Sequence, residues 1–304
     1  MPLEADLLID RRRLKRRLAL WRAATVLLLA AGAVFAAVRG AAVALPGASH
    51  LSRLTVEGVI GDDRKVIEAL ERIRKDPANR GLIVAIDSPG GSVGGGEALY
   101  GALNRVRQGG KPVVAVLRGT AASAGYMTAL GADRIFAREG TVTASIGVLL
   151  QSFDASELLA RVGVRPDVLA SGPLKAQPNP FQPLSPEGRE SVMRLITDLH
   201  DQFVAKVVAG RGLDEAAVRA VADGRILTGR QALEQKLVDA IGGEPEARAW
   251  LAAEKGVPES LPVQDVQTRG TAERLLGAAL QGTVKTVLSE WLGVDGLVPL
   301  WQVR

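Results

Sequence analysis

Short apolar runs that alternate with helical patterns set the strongest limit on how this chain can fold. The runs "GLIVAI" (81–86) and "KPVVAVL" (111–117) are continuously apolar, which is typical of strands buried on both faces of a parallel sheet. Before them, "DDRKVIEALERIRKD" (62–76) has apolar residues at helical spacing behind an aspartate that can cap a helix. This rhythm predicts an α/β domain with parallel strands.

The rest of the chain body continues the same alternation of strand and helix patterns. Further strands are predicted at 53–60, 133–137, 144–152 and 165–171. Further helices are predicted at 96–108, 156–162 and 187–209. No repeat at the spacing of a solenoid is present, so we expect one α/β domain with appendages.

Composition and charge exclude several classes of function. The 304 residues include no cysteine, which excludes disulfides, thiol catalysis and cysteine zinc sites. The net charge is +5, and residues 1–45 carry all of it, with eight Lys or Arg and three Asp or Glu. The remainder holds 30 of each sign (38 − 8 and 33 − 3) and is neutral. The body therefore lacks the basic charge expected of a nucleic-acid-binding protein.

The N-terminal segment has the pattern of a membrane anchor. A basic stretch, "RRRLKRR" (11–17), precedes an apolar run at 18–38, which as a helix spans about 31 Å, or one bilayer core. The basic cluster predicts that 1–17 are cytoplasmic and that the body of the chain lies on the extracytoplasmic face of the cell membrane. Residues 39–50 are predicted to form a short linker. A signal peptide cleaved at "AVA" (42–44) is the alternative.

The predicted domain covers 51–250, and residues 251–304 form a C-terminal tail with an amphipathic pattern. Its apolar residues recur at helical spacing: Leu276, Leu280, Val284, Val287, Leu288 and Trp291. Packing on the domain or on a neighbouring subunit is one interpretation of this pattern. Binding to the membrane surface is the other.

Two glycine- and alanine-rich stretches directly follow the buried strands. In "DSPGGSV" (87–93), Gly90 and Gly91 leave backbone N–H groups open to a ligand. In "GTAASAGYMTA" (119–129), Ser123 occupies the central position of a pattern close to the Gly-x-Ser-x-Gly nucleophile elbow. A helix starting at Ala124 would add a second N–H donor. Two such donors beside a serine are what an oxyanion hole requires.

A serine nucleophile needs a base, and the usual base is scarce in this chain. His50 lies beside the apolar segment and His200 lies inside a long predicted helix, so neither is well placed for a Ser-His-Asp triad. Lys175 is the only charged residue between Asp167 and Glu187, and it is flanked by Leu174, Ala176 and prolines. Apolar surroundings favour the neutral form of a lysine, which can then act as a general base.

Five motifs in order make the chain resemble the signal peptide peptidase A family of membrane-bound bacterial serine proteases. They are "DSPGG", "GTAASAGYMTALGADRIFA", "ASIGV", "ASGPLKA" and "DGRILTGRQALEQKLVDAIGG", and they span about 51–243. The resemblance implies a ClpP/crotonase-like superhelix of β-α units. It also implies that single-length members form ring-like homo-oligomers, in which the serine and the lysine can come from adjacent protomers.

The same resemblance assigns roles to six residues. Ser123 would be the nucleophile, Lys175 the general base and Ser145 the residue that orients the lysine. The oxyanion hole would come from Gly90 or Gly91 together with Ala124. The substrates would be peptides such as cleaved signal peptides, with no cofactor and no metal.

The sequence departs from the family pattern at three positions, and it leaves other functions as alternatives. Ala124 stands where the family usually has glycine, Ala176 where it usually has aspartate, and Lys236 in a stretch where "GLVD" is common. A crotonase-like acyl-thioester enzyme would share the fold, and a non-catalytic scaffold that assembles rings would share the anchor. An α/β-hydrolase with His200 as its base fits the strand order less well.

Overall fold

The computed structural model of the chain describes residues 15, 17–18, 20–29 and 48–267. The chain divides into two units between Ala48 and Ser49. In the first unit residues 20–29 are helical and exposed, and none of the helices within the described ranges has both the length and the apolar character needed to cross a bilayer. Positions 30–38 of the predicted span and 268–304 of the predicted tail lie outside the described residues.

The second unit is built from eight strands and eight helices within its described part, 49–267. The strands are β1 (His50–Ile60), β2 (Asn79–Gly91), β3 (Val113–Ala122), β4 (Arg134–Ala137), β5 (Val142–Ala144), β6 (Ile226–Thr228), β7 (Ala240–Ile241) and β8 (Val263–Asp265). The helices are α1 (Arg64–Lys75), α2 (Val93–Gln108), α3 (Ala124–Ala129), α4 (Ser156–Arg161), α5 (Pro186–Arg211), α6 (Glu215–Arg219), α7 (Gly229–Glu234) and α8 (Glu244–Lys255).

The strands form one sheet in the order β6-β5-β3-β2-β1-β8. The pairings are parallel except that between β5 and β6, and β4 pairs with the first half of β3 and with β7. Apolar side chains of β2 alternate between two buried clusters: Val84 packs with α1 and α2, whereas Ile83 packs with α8. Helices therefore cover both faces, which explains why the central strands are continuously apolar.

The α/β architecture predicted from the sequence is confirmed, and so are most of its elements. Asp63 caps α1 by accepting a hydrogen bond from the Lys65 amide, as its position predicts. Two predicted strands are wrong: the strand at 165–171 is absent, and only 142–144 of the region around 144–152 is a strand. Both segments are rich in β-branched or apolar residues, but most of them lie beyond the paired part of the sheet.

The parallel pairing of β2 with β3 brings the two glycine- and alanine-rich stretches together. Their ladder shifts register between Ile86 and Ser88, so β2 and β3 are not continuously paired at this point. The carboxylate of Asp87 fills the gap by accepting a hydrogen bond from the Thr120 amide at 2.9 Å. Because both strands run the same way, their carboxyl ends meet at one edge, where open α/β sheets bind ligands.

Candidate active site

Ser123 occupies the turn between β3 and α3, as the elbow pattern predicts. The strand ends at Ala122 and the helix begins at Ala124, so Ser123 alone makes the turn. Its φ of 53° and ψ of −120° lie in a region that non-glycine residues rarely adopt. Such a conformation costs of order 1–3 kcal/mol and is found mainly at functional sites.

Two further strained residues lie at the end of β5, which pairs beside Ser123. Ala144 has a φ of 64° and Ser145 a φ of 52°. The carbonyl of Ala144 accepts a hydrogen bond from the Ser123 amide at 2.8 Å, and the carbonyl of Arg225 accepts one from the Ser145 amide at 2.9 Å. Three of the four non-glycine residues with positive φ in the described part of the chain therefore meet at this point.

The glycines of "DSPGG" allow β2 to approach the elbow closely. A Cβ added to Gly90 would lie 2.8 Å from the Ser123 Cβ and 3.3 Å from the Ala124 amide nitrogen, and the φ of Gly90 is 115°. The Gly90 amide donates to the Oγ of Ser88 at 3.1 Å, and that hydroxyl donates to the Gly58 carbonyl at 2.6 Å. Ser88 is fully buried, and it holds the glycine loop in place.

Gly91→Ala is expected to destabilise the protein, because this glycine contacts the backbone of β1. A Cβ at position 91 would lie 2.0 Å from the carbonyl oxygen of Ile60, which the strand cannot move without breaking its ladder. We expect the free energy of unfolding in urea to fall by about 2–4 kcal/mol. Gly94→Ala is the matched control, since nothing lies within 4 Å of a Cβ there. That change in α2 should be neutral or stabilising, and equal losses for the two variants would contradict this account.

The methyl group of Ala124, where the family pattern has glycine, is accommodated by a glycine on α2. A Cβ on Gly96 would lie 2.9 Å from the Ala124 Cβ, so α2 can pack here only because position 96 has no side chain. The alanine side chain is buried, with 3% of its surface exposed. The departure at Ala124 is therefore matched within the core and leaves the strand–turn–helix geometry intact.

A cavity of about 760 Å³ opens in front of Ser123. Three of the six predicted site residues, Ser123, Ser145 and Gly91, line it together with Pro89, whereas Gly90, Ala124 and Lys175 do not. Its apolar wall consists of five side chains: Val93, Val148, Leu149, Met193 and Ile196. The cavity is large enough for the side chains of an extended peptide, and this wall suits apolar ones.

Two ionisable side chains in this cavity were not assigned to it from the sequence. His200 projects from α5, and its Nε2 donates to the carbonyl of Ala222 at 2.7 Å, which leaves Nδ1 of a neutral ring as the acceptor. Asp223 lies beside it, and a hydrogen bond from Arg225 holds the pKa of Asp223 below its usual range. The spacing Met193, Ile196, His200 on one helix face is the signal that could have placed His200 here.

Lys175 does not line this cavity within the described chain. It is exposed, on a stretch without helix or strand that runs from 162 to 185, and its amide donates to the Gly172 carbonyl at 3.2 Å. All of this stretch except residue 185 belongs to a longer segment, 149–184, that we call the apolar arm. Large apolar side chains are exposed along it: Leu149, Leu150, Phe153, Leu158, Val162, Val164, Val168, Leu169, Leu174 and Phe181.

Comparison with known proteins identifies the family. The profile described as peptidase family S49 matches residues 105–258, and a protein of Synechocystis sp. named as a protease is 39% identical over 76% of this chain and 84% of its own length. The chain belongs to peptidase family S49. An Enterococcus faecium protein named as the signal peptide peptidase SppA is 32% identical over 82% of this chain and 74% of its own length. Protease 4 of Salmonella typhi is 30% identical over 80% of this chain and 38% of its own length.

A second match relates the S49 domain to the Clp protease fold. The profile described as Clp protease matches residues 56–143, which include the end of β1, all of β2 to β4, the glycine loop and the elbow. The prediction of a ClpP-like α/β fold is therefore confirmed for the domain. The resemblance to the signal peptide peptidase A family, stated from five motifs, is confirmed as well.

Proposed function

We propose that this S49 peptidase is a serine endopeptidase with Ser123 as its nucleophile and Lys175 as its general base. The strained elbow at Ser123 carries the proposal. A non-glycine residue is held at positive φ between a buried strand and a helix, facing a cavity with apolar walls. A structural serine at a helix start would instead cap the helix with its side chain, and Ser123 makes no such hydrogen bond.

The oxyanion hole is proposed to consist of the amides of Gly91 and Ala124. Ala124 is the first residue of α3, where helix amides have no partner within the helix. The Gly90 amide already donates to Ser88, which favours Gly91 as the second donor. Gly90 then serves by its close packing on Ser123, since any side chain there would displace the nucleophile.

Lys175 is proposed to reach the cavity of a neighbouring chain in a ring-like homo-oligomer. Two observations support this arrangement: Lys175 is not among the residues that line the cavity of its own chain, and the arm that carries it exposes ten large apolar side chains. An exposed apolar surface of this extent is typical of a protein interface. Burial against a neighbour removes water from the lysine amine and favours its neutral form. Ser145 would then orient that amine.

The chemistry follows from these positions. The neutral Nζ of Lys175 takes the proton of Ser123 as Oγ attacks the peptide carbonyl carbon, and the two amides bind the resulting oxyanion. The C–N bond breaks as Lys175 returns the proton to the leaving amine, which leaves an acyl-serine. Water loses a proton to Lys175 and attacks the ester carbon. The bond to Ser123 Oγ breaks as Lys175 passes that proton to Oγ, which releases the peptide acid and restores both residues.

The proposed substrates are membrane-proximal peptides, including cleaved signal peptides. The apolar run at 18–38 supports an N-terminal anchor with the catalytic domain outside the cytoplasm. The apolar cavity wall supports substrates with aliphatic side chains. The name of the Enterococcus faecium relative, signal peptide peptidase, agrees with both.

Labelling with a fluorophosphonate tests the proposed function against an acyl-thioester activity. We expect the probe to modify Ser123, as mapped by peptide mass spectrometry, and casein hydrolysis to stop in proportion to labelling. An acyl-thioester enzyme would hydrolyse a coenzyme A ester and leave casein intact. A scaffold would take no label, so either of these outcomes would overturn the proposal.

A further inference from the structure

A second cavity, of about 390 Å³, lies at the opposite end of the sheet from Ser123. Its lining includes five cationic side chains and one carboxylate. The cations are Arg74, Lys75, Arg80, Lys111 and Lys255, and the carboxylate is Asp76. We call it the basic cavity. The chain from residue 46 onward carries equal numbers of positive and negative side chains, so this concentration of cations is local.

Three of the five cations have a structural explanation. Arg74 pairs with Glu71 at 2.8 Å, and Lys255 lies 4.0 Å from Asp133. The ammonium of Lys111 donates to the backbone carbonyls of Asp76 and Asn79, where α1 has ended. The positive charge of Lys111 therefore stabilises the negative end of the α1 dipole.

Lys75 and Arg80 are left without an acidic partner among the residues that the structure describes. Burial lowers the pKa of Lys111, and the positive charge of Arg80 lowers it further, whereas Asp76 opposes the shift. Two like charges are therefore held close together in this cavity. An anion bound between them would relieve the repulsion.

The position of the basic cavity in the fold indicates which anion meets it. It lies at the amino ends of β2 and β3, and the chain enters the domain at the same end: His50 donates its amide to Ala78, and its ring lies 3.7 Å from Asp76. In the sequence, the proposed anchor at 18–38 is followed by residues 39–49 and then by His50, so the segment that would tether the domain to a membrane joins it at this end. The distance along β2 from Asn79 to Gly90, which packs on Ser123, is roughly 35 Å.

We propose that the basic cavity binds the phosphate of an anionic lipid headgroup through Lys75, Arg80 and Lys111. Ser123 then lies at the other end of the sheet from the bound headgroup. The choice of a lipid as the source rests on the proposed anchor, whereas the phosphate chemistry does not. A guanidinium and two ammonium groups are the donors that proteins use for phosphate.

Lysine acetylation of the full chain in nanodiscs tests this proposal. The discs contain phosphatidylcholine alone or with phosphatidylglycerol, and mass spectrometry gives the acetylation rate at each lysine. We expect phosphatidylglycerol to slow acetylation of Lys75 and Lys111 by about fivefold or more. Lys65, at the other end of α1, serves as the internal reference and should not change. Equal rates in the two kinds of disc would overturn the lipid site.

A matched pair of double variants controls for net charge. Lys75→Ala with Arg80→Ala should abolish the protection of Lys111 by phosphatidylglycerol. Arg138→Ala with Arg230→Ala removes the same charge near the carboxyl end of β4 and should retain that protection. Loss of protection in both variants would show a general surface-charge effect and would contradict the site.

Two further arms separate the source of the phosphate and the proposed function from this inference. The first arm measures acetylation of Lys75 and Lys111 in detergent with inorganic phosphate. If phosphate slows acetylation there and phosphatidylglycerol has no effect in nanodiscs, the ligand is a soluble anion and the lipid is excluded. Flotation with phosphatidylcholine vesicles reports the anchor alone, and fluorophosphonate labelling of Ser123 reports the peptidase alone. If flotation fails while the lysines remain protected, only the anchor is overturned. If labelling of Ser123 fails while the lysines remain protected, only the peptidase is overturned. The phosphate site is retained in both cases.

Discussion

Ser123→Ala is expected to abolish peptide hydrolysis without unfolding the protein. The loss should be at least about a thousandfold in kcat, the scale seen when a serine nucleophile is removed. Alanine loses only Oγ, and the half-buried Ser123 hydroxyl does not cap α3, so stability should change little. Casein hydrolysis and fluorophosphonate labelling measure the loss, and thermal melting followed by circular dichroism checks the fold. Substantial hydrolysis by this variant would remove Ser123 from the reaction.

Lys175→Ala is expected to produce a loss of similar size, although Lys175 lies outside the cavity of its own chain. The base and the nucleophile act as a unit, so removing either should stop acylation. His200→Gln is the matched control, because His200 does line the cavity and is the rival base. The glutamine variant should keep most of the activity. The reverse result, an inactive His200→Gln variant and an active Lys175→Ala variant, would make the histidine the base.

Mixing the two inactive variants distinguishes a lysine from the neighbour from a lysine of the same chain. When equal amounts of Ser123→Ala and Lys175→Ala chains assemble together, a quarter of neighbouring pairs join an intact serine to an intact lysine. A head-to-tail ring should therefore recover about one quarter of the wild-type activity. No recovery in rings shown to contain both chains would contradict the shared site.

The elbow was predictable because its determinants are local. A buried strand, a small-residue turn and a helix start are all visible in "KPVVAVLRGTAASAGYMTA", and the structure has β3, Ser123 and α3 in that order. The glycine loop was visible for the same reason. Its extension of β2 as far as Gly91 was not, because it depends on pairing with β1.

The supporting residues were not predictable because their roles depend on register. Asp87 bonds to Thr120 only where the β2–β3 ladder shifts, and Ser88 reaches Gly58 across the neighbouring strand. The strained backbone at Ala144 has no sequence signal, since alanine does not mark positive φ as glycine does. Lys175 was predicted to be the base from its isolation among apolar residues, and in the described chain it does not line the cavity in front of Ser123.

The distance between Ser123 Oγ and Lys175 Nζ in the assembled protein tests the central claim most directly. A structure of the proposed ring provides this distance, both within each chain and across each interface. We predict that Nζ of one chain lies about 2.6–3.2 Å from Oγ of its neighbour, within hydrogen-bond reach. A ring in which Lys175 stays in solvent at every interface and another basic side chain contacts Ser123 would contradict the Ser-Lys dyad.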